Sequence, residues 1–345
     1  MNKLGVITII IIIILLIDFF LYIICNVNID KTFNKERYNN FLDESSYHID
    51  INRVNIGKKK AQNSKIVICT LCRNVEHNSK KSMEKLEGIG NLFNEYKIVV
   101  YENDSTDNTR NIIKNWSSIN KNVHLIDCCE YSSCNCKLKT TRGYDDGAIS
   151  NKRMYKMAFY RNEYIKYTFK HFKDYDYLLV YDFDLSGGIL KSGIYDSLSY
   201  ENWDSISANG LTPLPPFCLN STMYDALAYL PKNYFKKVYN YSPLKRFIKL
   251  YLLQYSKVNL IPVDSAFNGM TIYNMNSIKD CKYEILKYDN IDDENINCEH
   301  LGFHYNMIKN NKTELFINKK MILHVGIQGP DNKFQFLNRS SNRIK

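Results

Sequence analysis

Hydrophobic and polar positions change character twice along this chain. Gly5 to Cys25 is an almost unbroken apolar run of 21 residues, whereas residues 26–64 are polar, rich in Asn and Lys, and unpatterned. From Lys65 onward, short apolar runs alternate with longer mixed stretches, the pattern of strands alternating with helices. Lys65 to Thr70, Lys97 to Glu102, Asn122 to Asp127 and Tyr177 to Asp184 read as strands. Helices are predicted over roughly Thr106 to Trp116, capped by the Ser and Asp residues of Asn103 to Thr109, and over Ser150 to about Lys170. Alternation of this kind predicts an α/β domain with a mostly parallel sheet, flanking helices and right-handed crossovers.

The fourth predicted strand ends on two carboxylates one residue apart. Side chains on a strand alternate faces, so Asp182 and Asp184 are expected to point the same way off its C-terminal end. Paired hard oxygen ligands suit Mg²⁺ or Mn²⁺, which takes one or two carboxylates together with waters and the oxygens of a diphosphate. In parallel α/β sheets ligands bind at this edge, where Arg73, Glu102 and Asp104 also fall.

Four segments carry a resemblance: Tyr101 to Thr109 (Y-E-N-D-S-T-D-N-T), Arg153 to Asn162, Val263 to Met270 and Cys298 to His304. With the D-x-D strand they resemble, in order from about Lys65 to about Gly329, the GT-A fold nucleotide-sugar glycosyltransferases. The similarity is greatest to the capsule-associated mannosyltransferase-like group and related algal and giant-virus glycosyltransferases. The resemblance implies a Rossmann-like GT-A domain that moves a sugar from a nucleoside-diphosphate sugar donor to a glycan or glycoprotein acceptor. It implies that Glu102, with Asp104, touches the donor base or ribose, that Asp182 and Asp184 hold the metal, and that His324 completes its shell. It further implies that the loop at Asn268 and the block at Asp225 face the acceptor side.

Physical chemistry adds candidates of its own. Departure of a nucleoside diphosphate builds negative charge, which a metal and nearby cations stabilise. Arg153 and Arg161 recur on one helix face, and Arg142, Arg153 or Arg161 could clamp phosphate; two ordinary surface arginines are the plainer alternative. An inverting reaction needs a base, for which Glu299 is the first candidate and Asp264 the second; a retaining one leaves Glu299 to position the acceptor. His300 and His304 share a helix face four residues apart, without a third ligand at a recognisable zinc spacing. One of them is expected in the core and the other in the acceptor cleft. Asn268-Gly269 also has the composition of a hairpin turn.

At about 1.5 Å per residue, Gly5 to Cys25 can cross a hydrocarbon core of roughly 30 Å, so residues 1–25 are expected to form a single-pass N-terminal membrane anchor despite Asp18. Residues 26–64 follow as a stem, 65–200 as a nucleotide-sugar-binding half, 201–330 as an acceptor-binding half of the same domain, and 331–345 as a basic tail. Lys31, Lys35 and Arg37 after the span favour a cytosolic catalytic domain, whereas the family resemblance implies a lumenal one. Ten cysteines, several crowded at 128–136, do not resemble an ordered disulfide framework. A net charge of +10 fits anionic ligands and membrane proximity, and with no nucleic-acid module recognisable, no nucleic-acid partner is expected. Two alternatives stand beside the transferase. One is a haloacid-dehalogenase-like phosphatase, disfavoured by Ser186 where that motif has Thr or Val; the other is a catalytically inactive, membrane-tethered glycan-binding GT-A protein.

Overall fold

The computed structural model describes residues 39–128, 151–213, 221–235, 243–286 and 298–325. The expected membrane anchor, Arg142, the cysteines between 129 and 136 and the basic tail lie outside the described residues. Among the described residues no helix is long and apolar enough to cross a membrane.

Four strands alternate with three helices; the strands and the second and third helices fall where the sequence predicts, and the helix at Glu76–Gly90 is an addition. They are β1 (Lys65–Cys72), α2 (Glu76–Gly90), β2 (Glu95–Glu102), α3 (Thr109–Ile119), β3 (Val123–Asp127), α4 (Asn151–His171) and β4 (Tyr177–Asp182), all preceded by α1 (Ile51–Ala61). The second half contains α5 (Lys191–Leu198), β5 (Ser205–Pro213), β6 (Ser221–Met223), β7 (Leu230–Pro231), α6 (Pro243–Leu253), β8 (Leu260–Ser265), β9 (Met270–Asn274), α7 (Glu299–Lys309) and β10 (Leu315–His324). One continuous sheet joins the two halves in the order β3-β2-β1-β4-β9-β5-β10-β8-β7, with β6 on β5.

The expectation of a mostly parallel sheet holds for one half only. β3, β2, β1 and β4 are parallel, but β9 runs against both β4 and β5, and β8 against β10 and β7. Parallel neighbours need a helix-length crossover, which α2, α3 and α4 supply in the first half; in the second half only β5 and β10 pair in parallel, joined by the long connection that carries α6 and α7. Nor is Asn268-Gly269 a hairpin. It turns the chain from β8 to β9 with positive φ at both residues (54° and 84°), but β8 and β9 are not paired with each other.

The apolar runs are buried on both faces, as in a covered sheet. Val67, Val99, Leu178 and Val180 pack with Ala158, Tyr164 and Ile165 of α4, Leu250 of α6 and Phe303 of α7. Ile66, Ile68, Ile98, Val100 and Leu179 face the opposite layer, with Leu86 of α2, Ile113 and Trp116 of α3 and Ile194 of α5.

Part of the expected stem belongs to this domain. Asp50 caps α1 by accepting from the Arg53 N–H at 3.2 Å, and α1 lies against α5. The contact is close because Gly57 has no side chain: a Cβ there would stand 1.7 Å from the Tyr195 carbonyl oxygen. Arg53 pairs with Asp196 at 3.3 Å and covers the Tyr200 ring at 3.5 Å. A polar, unpatterned segment therefore docks through a glycine and an arginine rather than through an apolar stripe.

Candidate active site

Period-2 alternation carries Asp182 to the same face as Leu178 and Val180, toward α4 and α7. There its Oδ1 accepts from Arg161 Nη2 at 3.3 Å, while Arg161 Nε donates to Glu299 Oε1 at 2.9 Å and Nη1 to the Tyr164 hydroxyl at 3.0 Å. Arg161 and Glu299 are buried, so the guanidinium is a fixed counter-charge inside the domain and not a free phosphate clamp. Asp184 lies just past the strand in the following turn, partly exposed like Asp182, with Phe183 buried between them.

Burial pushes the Asp182 carboxyl up to about 7; Arg161 opposes this, and the charges of Asp184 and Asp225 add to it. Asp225, half-buried by surface area, is likewise raised to about 6 by burial; the Ala228 N–H works against that and the charge of Glu299 works with it. Asp182, Asp225 and Glu299 thus share one arginine, and Asp184 adds its charge to that of Asp182, leaving excess negative charge that a divalent cation would relieve. The donor chemistry fits Mg²⁺ or Mn²⁺, since Asp182 and Asp184 supply two carboxylates and leave positions for substrate oxygens. No group of three His, Cys, Asp or Glu side chains assembled for a metal occurs among the described residues. His324, the expected third ligand, has its Nε2 at 3.2 Å from the Tyr47 hydroxyl, while its backbone lies against Gly187, where a Cβ would meet the His324 carbonyl oxygen at 1.8 Å.

The turn carrying Asp184 is held from beneath by α2. Ser82 Oγ donates to the Phe183 carbonyl, and Lys85 Nζ donates to the carbonyls of Leu185 and, at 3.1 Å, Gly187. Lys85 is fully buried, and burial lowers its ammonium to about 7; Lys81 adds to this and Asp184 opposes it. The turn is tied from the other side by the Asp182 N–H donating to Gly269 O at 3.0 Å. Lys85 was not among the sequence candidates. Its signal was a lysine on the stripe that also buries Ser82, Leu86 and Ile89.

A second cluster occupies the same sheet edge. Glu102 is buried at the end of β2, where Oε1 accepts from the Ser105 N–H at 2.8 Å; burial raises its carboxyl. Asp104 adopts φ 45° and accepts from Arg73 Nε at 3.0 Å; burial raises it, and Arg73 opposes the shift. Asp127 at the end of β3 holds Arg110 in a two-pronged pair at 2.6 and 2.7 Å and also binds Lys114 at 3.2 Å. This cation arrangement was missed because Arg110 and Asp127 lie on separate elements. Helix α4 spans both clusters: Lys156 interacts with Asp104, exposed Arg153 with Tyr224, and Arg161 with Asp182.

Other candidates are engaged within the domain. Asp264 Oδ2 accepts from the backbone N–H groups of Tyr234 and Phe235 at 2.6 and 3.1 Å, the work of a loop anchor. His304 is a core residue, with Nδ1 at 2.7 Å from Ser265 Oγ and Nε2 at 3.0 Å from the Tyr273 hydroxyl; burial lowers it to about 3. His300 is buried too, stacked 3.9 Å from the Phe267 ring centroid beside Glu299, so neither histidine of the pair lies in an open cleft as one of them was expected to. Asn268 Nδ2 donates to Ala208 O at 2.8 Å.

No protein-family model and no curated protein sequence matches the chain. Among solved structures, S. aureus TarS residues 1–349 is similar at 14% identity over 76% of this chain, with TM-score 0.40. The mannosyltransferase PcManGT from Pyrobaculum calidifontis, in complex with GDP-Man and Mn²⁺, shares 6% identity over 81% of this chain, also with TM-score 0.40. Glucosyl-3-phosphoglycerate synthase from Mycobacterium tuberculosis shares 10% identity over 81% of this chain and 77% of its own, with TM-score 0.38. The chain spans 60% and 66% of the length of the first two. Likeness at this level leaves the assignment of activity to the side chains themselves.

Proposed function

We propose that this chain is a metal-dependent glycosyltransferase of the GT-A type, transferring a sugar from a nucleoside-diphosphate donor to a glycan or glycoprotein acceptor. The observation that carries the reading is the pair Asp182 and Asp184 at the C-terminal end of β4, crowded by Asp225 and Glu299 and backed by the buried guanidinium of Arg161. A bound Mn²⁺ or Mg²⁺ would supply charge stabilisation for the departing diphosphate. Asp182 and Asp184 would hold it, and Lys85 and Ser82 keep their turn in place. Glu102, Asp104 and Arg73 lie where a donor base or ribose would sit, and Arg153 and Lys156 add positive charge between that cluster and the aspartates.

The proton from an acceptor hydroxyl is better received by Asp225 than by Glu299. Asp225 is partly exposed with its carboxyl raised to about 6, in the range where a general base works, whereas Glu299 is buried and tied to Arg161. On this reading Glu299 positions Arg161 against Asp182. The apolar run 5–25 would tether the domain to a membrane, in the lumenal arrangement of the resembled enzymes.

The test is a thermal-shift screen of the chain against UDP-, GDP- and CMP-sugars, with Mn²⁺ and with chelator. A ligand at 100 times its dissociation constant adds about 2.7 kcal/mol of stability. A shift requiring both Mn²⁺ and one nucleotide class supports the reading and names the base; no shift with any donor refutes it.

A further inference from the structure

Helix α6 is apolar on two opposite sides. One side faces the domain: Leu250 is fully buried, Leu253 packs against the core, and buried Arg246 donates from Nη1 to Leu227 O at 2.9 Å. Leu244, Ile248 and Leu252 recur every four residues on the other side and are 67%, 49% and 55% exposed; past the end of the helix, Tyr255 and Val258 are also exposed, at 63% and 55%. The other large exposed apolar residues occur singly or as the pairs Ile51 and Ile56 on α1 and Tyr155 and Phe159 on α4, so the five at 244–258 are the most extended such group among the described residues.

Charge identifies what covers it. Lys245 and Lys249 are exposed on one flank of the stripe, and exposed Lys257 follows the helix. Between Asp225 and Asp264 the sequence has six lysines and one arginine but no acid, although the whole chain carries 36 acidic residues. An outward apolar stripe flanked by lysines in an acid-free segment is the pattern of a helix lying in the plane of an anionic bilayer interface. A protein groove could take the apolar stripe, and nucleic acid could take the lysines, but an anionic lipid surface answers both. Chain length agrees: only residues 26–38 separate the apolar run ending at Cys25 from the first described residue, a tether of at most about 45 Å.

We propose that the outward face of α6, formed by Leu244, Ile248 and Leu252 with Lys245 and Lys249 and followed by Tyr255 just past the helix end, is a second membrane contact that lies on an anionic lipid bilayer. It holds the domain against the surface independently of the apolar run 5–25. The inference rests on these side chains and not on the transferase reading.

The test uses the full chain reconstituted in vesicles, because the apolar run would carry every variant to the membrane and only a local probe distinguishes this face. Both native tryptophans, Trp116 and Trp203, are buried in the core and provide the background. Ile248→Trp is introduced at an exposed position, and emission is compared in vesicles with and without brominated acyl chains. Phosphatidylcholine with about three-tenths phosphatidylglycerol is set against phosphatidylcholine alone. Bromine quenching of the introduced indole in the anionic vesicles, lost in the neutral ones and with Lys245→Glu/Lys249→Glu, is the expected result. Equal quenching in neutral vesicles overturns the anionic assignment. No quenching in either vesicle, or a blue-shifted emission that bromine leaves untouched because protein covers the face, overturns the membrane contact. The readout needs no turnover, so failure of the proposed activity would leave it intact.

Discussion

Arg161 Nε lies 2.9 Å from Glu299 Oε1, and both side chains are buried between α4 and α7. The guanidinium extends the contact to Asp182, so one cation neutralises two carboxylates that the chain supplies from distant segments. Removing one member of a buried pair leaves an uncompensated charge. Arg161→Met should therefore cost about 3–5 kcal/mol in urea unfolding, and Arg161→Met combined with Glu299→Gln should restore part of it. A loss below about 1 kcal/mol, the scale of an exposed ion pair, would disprove the buried network.

Asp184→Ala should abolish any Mn²⁺-dependent donor shift while changing the melting temperature of the unliganded chain little, because Asp184 is partly exposed and only its charge acts on buried Lys85. Asp225→Asn should retain that shift and slow turnover by about 10²-fold or more, the usual contribution of a general base. Full turnover in the Asp225 variant would return that role to Glu299.

Lys85 lies beneath the same turn, where it donates to the turn's carbonyls and faces the Tyr181 ring. Lys85→Met fills the space but leaves the Leu185 and Gly187 oxygens without this donor. Since side chains behind metal ligands tune affinity by about 10–100-fold, calorimetric Mn²⁺ binding should weaken on that scale. Unchanged Mn²⁺ affinity would mean that the turn holds its shape without the lysine.

His304 gives the domain a pH dependence of calculable sign. Its imidazole is lowered by burial to about 3, below the roughly 6.5 of an unfolded chain, so between these values the unfolded state binds the extra proton. The stability it contributes is fully present above about pH 6.5 and is lost as pH falls toward 3. His304→Gln should be less stable at pH 8, having lost fitted bonds to Ser265 and Tyr273, yet show a pH slope shallower by up to about 1.4 kcal/mol per unit in that window. Parallel slopes in the two proteins, followed by chemical unfolding, would contradict a neutral buried imidazole.

Gly57→Ala tests where the domain begins. A methyl group at 1.7 Å from the Tyr195 carbonyl oxygen would force α1 off α5, with an expected loss of about 1–3 kcal/mol of stability. If residues 39–64 were a free stem, the substitution would stabilise the helix slightly or do nothing.

What the sequence determined by itself was whatever local pattern encodes. The apolar runs marked β1 to β4, their spacing called for helices between them, and the run's end put Asp182 at the C-terminal end of β4, whereas Asp184, expected on the same strand, lies in the turn that follows. Side-chain period and strand-end position are properties of a few consecutive residues, so they survive without a fold. Only the tertiary structure decided the rest. It reversed β9 between β4 and β5, because pairing direction depends on which strands become neighbours. It drew Arg161 inward to Asp182 and Glu299, made His304 a core residue, and turned Asp264 into a loop anchor. The fate of a charged side chain depends on what faces it from 21 to 138 residues away in these cases, and burial is a sum over such distant neighbours. Lys85 shows the same limit: its place on a helix stripe was legible, but the carbonyls it serves lie 100 and 102 residues away.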